Sequence, residues 1–214
     1  LVQDAIYQAT PAAERERIHR HALDYWRGRE GAHAMAAVVR HAGLAGAHAE
    51  AAAAALVLAE GAAAAHREIE AERWYSAALL HVADQSMRVL ALAGRGRARW
   101  RLDRKPEALS DLAAARAAAQ ELGDPIRVAS ILLDEAMVLD WTWDFTASAD
   151  RLTEARALVE ASGDAALGGR LLAATGRTRF REGRMSEALA LFAESAAQPL
   201  DSETRLVALL LRAY

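Results

Sequence analysis

The residues of this chain with chemistry to offer are seven histidines, a few clustered acids and a recurring set of arginines beside aromatics. His19, His21, His33, His41, His48, His66 and His81 all precede residue 82, and no two stand four apart, the spacing that presents both imidazoles on one helical face. Packing or solvation, rather than a metal, is therefore expected of them. The acids Glu68, Glu70 and Glu72, and the pair Asp134 and Glu135, stand among arginines on helical segments, so surface charge pairs are expected rather than catalytic carboxylates. No serine lies in a nucleophile elbow. Gly94-Arg95-Gly96 has no strand before it, so its glycines are expected to serve helix packing rather than phosphate binding. Lys105 is the single lysine and Pro106 follows it, which excludes a Walker A loop, and there is no Asp-Phe-Gly sequence. The chain itself is expected to catalyse nothing and to hold no cofactor.

One pattern points to recognition. Arg97, Trp100 and Arg101 recur in kind as Met137, Asp140 and Trp141 and again as Arg177, Phe180 and Arg181. Spacings of three and four put each trio on one helical face. Arginine beside an aromatic suits a carboxylate or an extended peptide, through bidentate hydrogen bonds and stacking. Core packing of Trp100 and Phe180 beside solvated arginines is the competing expectation.

The elements that would carry these trios follow from composition and repetition. Roughly a quarter of the residues are alanine, aromatics make up 6% and prolines number four, which favours helix because alanine loses no side-chain entropy there. A hydrophobic fraction of 53% in 214 residues can bury a core. The formal charge of -3 gives no basic field for nucleic acid, and Arg95, Arg97, Arg99, Arg101, Arg104 and Lys105 point around the helix instead of forming one stripe. Cysteine is absent, so disulfides and thiolate chemistry are excluded, and a cytoplasmic setting is expected. No run approaches a membrane span; the alanine-rich stretch 51–65 is interrupted by Glu60 and Gly61.

At an offset of 40 residues, Ala108, Leu112 and Ala115 fall on Ser148, Leu152 and Ala155 and then on Ala188, Phe192 and Ser195, while Gly96 falls on Ala136 and Gly176. Small residues where two helices cross, with a large one a turn on, describe stacked helical hairpins. First helices are predicted at about 86–101, 126–140 and 166–182, and second helices at about 105–121, 145–162 and 185–197. Gly123-Asp124-Pro125 and Gly163-Asp164 supply helix stops and caps between units. A looser unit contains Ala71, Tyr75 and Ala78, with its first helix from about His48 to Leu58, and helices near 12–28 and 31–43 precede it. Thr10 is the expected cap of the earliest helix, with Pro11 in its first position.

This pattern resembles the tetratricopeptide family, most closely through Gly176, Phe180, Gly183, Ala188, Phe192 and Ser195. Asp103 and Trp143 stand where that family has a turn glycine, and Trp143 puts its hairpin in question. The resemblance implies an all-α solenoid of antiparallel hairpins in a right-handed superhelix, with the three trios on its concave face. Repeats would cover about 48–84, 86–122, 126–163 and 166–198, with a half repeat at 201–214 that caps the stack or pairs with a second chain as a homodimer. Residues 1–47, with Asp4-Ala5-Ile6-Tyr7, Thr10-Pro11, Arg17-Ile18-His19 and Tyr25-Trp26, are similar to the junction before the helical sensor of STAND-type signal-transduction ATPases, including kinase-fused regulators. That resemblance implies a piece of a larger signalling protein whose ATPase or kinase lies elsewhere. The function expected is a non-catalytic scaffold binding a protein or peptide; the alternative is a small-molecule sensor enclosing a ligand between turns, with nucleic acid ranked last and no membrane partner.

Overall fold

The computed structural model describes residues 7–82 and 84–199. Ten long helices run through them: α1 Ala12–Trp26, α2 Ala32–Leu44, α3 His48–Ala64, α4 Glu68–His81, α5 Gln85–Arg101, α6 Lys105–Glu121, α7 Pro125–Trp141, α8 Phe145–Ser162, α9 Ala165–Arg181 and α10 Met185–Ala196. No strand occurs among the described residues. The fold is all-α and divides between Asp103 and Arg104 into two compact units, within each of which consecutive helices pack on one another. The half repeat expected at 201–214 lies outside the described residues.

In the N-terminal unit α1 packs on α2, α2 on α3, α3 on α4 and α4 on α5. Alanines make this possible. Ala51, Ala55, Ala59 and Ala62 of α3 and Ala71 and Ala78 of α4 are fully buried, so the helix surfaces approach without large side chains between them. Gly94 of α5 extends the same device, because a Cβ there would lie 2.2 Å from Cζ of the buried Tyr75 ring on α4. That close approach is the packing role the sequence suggested for Gly94. Two helix ends differ from those the sequence suggests. α3 continues past Leu58 to Ala64, because Gly61 sits in its last turn facing open space, where its missing side chain removes no contact. α1 begins one residue later than expected, with Pro11 rather than Thr10 in the N-cap position and no side-chain cap.

In the C-terminal unit α6 packs on α7, α7 on α8, α8 on α9 and α9 on α10, and α7 also meets α9. Ala108, Leu112 and Ala115 of α6, Ser148, Leu152 and Ala155 of α8, and Ala188, Phe192 and Ser195 of α10 are all buried, as the 40-residue offset requires. The aspartates predicted as caps accept the expected backbone donors: Asp124 from Arg127 at 3.0 Å, Asp144 from Ala147 at 3.0 Å, and Asp164 from Ala166 at 2.8 Å and Leu167 at 3.1 Å.

The turns explain how the units tolerate their irregular positions. Gly183 ends α9 with φ 81°, and Trp143 adopts φ 64° at the equivalent place after α7. The hairpin questioned at Trp143 therefore keeps its geometry, with a tryptophan held in the left-handed region that glycine enters freely. Asp103 does the same after α5, at φ 63°.

Candidate functional site

The arginines of α5 are spent largely on α4. Arg99 pairs with Glu72 at 2.8 Å and Arg101 with Glu68 at 3.0 Å, Arg95 donates to Ser76 at 3.4 Å, and Arg97 hydrogen-bonds the Tyr75 hydroxyl. Burial raises the pKa of that phenol, and the Arg97 charge opposes the rise. Of the first trio, Arg97 is exposed while Trp100 and Arg101 are half-buried. Arg101 thus ties two helices together within the N-terminal unit.

The acids are not uniformly the surface charge pairs that the sequence suggests. Glu70 is a surface partner of Arg67, but Glu68 and Glu72 sit largely covered between α4 and α5. Glu135 is only 3% exposed and lies between Arg116 of α6, at 3.1 Å, and Arg151 of α8, at 2.6 Å. Asp134 meets Arg170 of α9 at 3.1 Å. These carboxylates face neighbouring helices because each lies on the packed side of its own helix, which places the ion pairs at interfaces and strengthens them against screening.

The two later trios belong to the C-terminal unit, and there the structure splits them. Asp140 is wholly buried at the end of α7 and accepts from Arg177 Nε at 2.8 Å and from Thr178 Oγ1 at 3.0 Å, both on α9. Ser148 of α8 reaches Thr178 Oγ1 at 3.2 Å, so one polar cluster joins three helices. Burial lowers the pKa of Arg177 and the Asp140 carboxylate opposes that, while Nη2 of Arg177 is buried without a hydrogen-bond partner. Arg177 and Asp140, expected on a ligand-facing stripe, are interior groups paired to each other. The reason is the close approach of α7 and α9, which leaves no solvent gap on that side. Phe180 is half-buried and packs on Ala188 and Phe192, and Met137 is half-buried on α7.

Trp141 and Arg181 behave differently. The Arg181 guanidinium lies 4.0 Å from the centroid of Trp141 and 5.7 Å from that of Trp143. Trp141 is 48% exposed and Trp143 71% exposed, and Trp143 meets Phe145 edge to face at 5.9 Å. Among the described residues no carboxylate pairs with Arg181. Four side chains from the ends of α7, α8 and α9 thereby form an open platform: two indoles, a phenyl ring and a cation laid on an aromatic face. Stacking fixes the guanidinium plane while its N–H edges stay available, the arrangement that reads a carboxylate with little ordering cost. Trp143 and Phe145 were outside the predicted stripe; the signal for Trp143 was its departure from the turn glycine.

The left-handed backbone at Trp143 bears on stability as well. A left-handed non-glycine residue costs roughly 1–2 kcal/mol, against roughly 0.5–1 kcal/mol of extra chain entropy for glycine. Trp143→Gly should therefore raise unfolding free energy in urea by up to about 1 kcal/mol, with the platform lost.

No metal-holding group of three or more histidines and acids occurs among the described residues. Glu16 and His19 have a Glu-x-x-His spacing, yet Glu16 is exposed and pairs with Arg20 while His19 turns inward. No helix among the described residues is long and apolar enough to cross a membrane.

No family model matches this chain, and no curated protein matches it. Among solved structures, BtubC (BKLC) from P. vanneervenii is similar in fold, with a TM-score of 0.59 over 95% of this chain and 82% of that one. Sequence identity across the match is 14%, so the likeness speaks to the helical architecture alone.

Proposed function

We propose that this chain is a non-catalytic interaction scaffold of the tetratricopeptide type, the regulatory part of a larger signalling protein, and that its C-terminal unit receives an extended acidic segment of a protein partner. The observation that carries this reading is Arg181, stacked on Trp141 beside Trp143 with no carboxylate of its own. An acidic side chain placed against Arg181 would gain a charge-assisted bond, and an apolar neighbour in the same segment would cover Trp143 and Phe145.

The test is a titration of the chain with a short fluorescent peptide alternating glutamate and leucine, against the same peptide with lysine for glutamate. Saturable binding of the acidic peptide alone is expected. Loss of one charge-assisted bond of about 1.5–3 kcal/mol corresponds to a tenfold or larger weakening in Arg181→Ala. Its melting temperature should stay unchanged, because Arg181 makes no buried ion pair. Equal binding of both peptides, or full affinity in Arg181→Ala, would sink the proposal.

A further inference from the structure

Two pairs of histidines bridge consecutive helices of the N-terminal unit. His19 of α1 and His41 of α2 bring their Nδ1 atoms to 2.9 Å, with ring centroids 5.2 Å apart. His48 of α3 and His81 of α4 bring theirs to 3.2 Å, with centroids 5.4 Å apart. In both pairs the nitrogens face each other between the rings. Such a contact is an N–H···N hydrogen bond, in which one imidazole carries its proton on Nδ1 and the other keeps Nδ1 as an acceptor. The tautomers are opposite by necessity. In the first pair the Tyr7 hydroxyl lies 2.8 Å from His19 Nε2, which makes a three-member chain with His41 at its end.

Protonation acts on these pairs in two stages. A first proton leaves one imidazolium still donating to one neutral ring, and the bridge holds. A second proton places two donors and two positive charges face to face, and the bridge becomes repulsive. The surroundings do not soften this. His19 is flanked by Arg15 on its own helix, and by Arg40 and His41 from α2; His41 faces His19 and the charge of Arg40; His81 faces His48 and lies against Gly43 of α2, where a Cβ would come within 2.7 Å of its ring. The charges acting on His19, His41 and His81 are of their own sign.

We infer that the N-terminal unit is an acid-released clasp, in which double protonation of the His19–His41 and His48–His81 bridges parts α1 from α2 and α3 from α4. The direction of titration agrees. Desolvation first, then the neighbouring positive groups, holds His19, His41 and His81 below the ordinary histidine pKa. An opened unit binds protons from about pH 6.5 downward, whereas the closed one resists them. The closed form therefore has its full stability above the free-histidine value, and loses it as pH falls from there through the depressed values of the packed rings.

Hydrogen–deuterium exchange of the full chain, resolved by peptide and corrected for the intrinsic pH dependence of exchange, tests this between about pH 7.5 and 5.5. Amides of α1–α4 should lose protection by about tenfold or more, one pKa unit being tenfold in the opening equilibrium, while α7–α10 change little. Asparagine places an amide near the Nδ1 position without titrating, so a chain carrying His19→Asn, His41→Asn, His48→Asn and His81→Asn should show nearly the same protection of α1–α4 at both pH values. Because the readout is the ratio between two pH values, a variant that is uniformly less stable remains informative. An acid response that persists in the substituted chain, or its absence in the unsubstituted one, overturns the inference.

Discussion

Asp140→Ala should unfold the C-terminal unit at markedly lower urea and temperature than the parent chain. The carboxylate is wholly buried and is the partner of Arg177 Nε and Thr178 Oγ1. Its removal strands a guanidinium that already has an unpartnered Nη2. Removing one member of a buried ion pair costs about 3–5 kcal/mol, because the remaining charge keeps its desolvation penalty with nothing to offset it. The melting transition should fall on the order of 10 °C. Arg177→Ala should be nearly as harmful, so a loss of binding in that variant would report unfolding rather than a lost ligand contact. The discriminating measurement is the double replacement Asp140→Leu with Arg177→Met, which removes both charges. It should recover most of the lost stability, since apolar replacements of a buried pair are often neutral or better. If the double variant is as unstable as either single one, packing of α7 on α9 rather than charge pairing sets the cost.

Phe192→Ala is the second substitution with a large expected effect. The ring is fully buried on α10 and fills the space opened by Gly176, where a Cβ would approach Phe192 Cε1 to 2.9 Å. Truncating a core phenylalanine costs about 3–5 kcal/mol, part transfer free energy and part cavity. The glycine and the ring are complementary, so the converse change is informative too. Gly176→Ala should destabilise by about 1–3 kcal/mol through overpacking, and the pair Gly176→Ala with Phe192→Leu should lose less than the sum of the two single changes. Urea denaturation of the four chains measures this coupling. Strict additivity would show that the close contact is relieved by a backbone shift instead.

The helical hairpins were legible because their determinants are local or periodic. The recurrence of Ala136 and Gly176 against Ser148 and Ala188 marks crossing points by size alone, and capping aspartates mark where helices begin. The partnership of Asp140 with Arg177 was hidden for a different reason. Both residues lie on a stripe with a polar, ligand-like composition, and nothing in a helical period states whether that stripe meets solvent or another helix. The same ambiguity concealed the covered state of Glu68 and Glu135. Trp143 shows the reverse case. A large aromatic reads as core, yet here it stands in a turn whose left-handed backbone directs it outward. The head-to-head contact of His19 with His41 joins positions 22 apart, and no local spacing encodes it.

The left-handed residues that close α5, α7 and α9, namely Asp103, Trp143 and Gly183, are all exposed. His66 closes α3 in the same conformation and is exposed as well. Backbone geometry at these places is imposed by the turn, while the residue itself stands at the surface. Each is a position where mutation can alter what the chain displays with at most a modest penalty in folding. A lineage, or a designer, could rewrite the recognition properties of such a chain by substituting one residue per turn and leaving every buried contact in place.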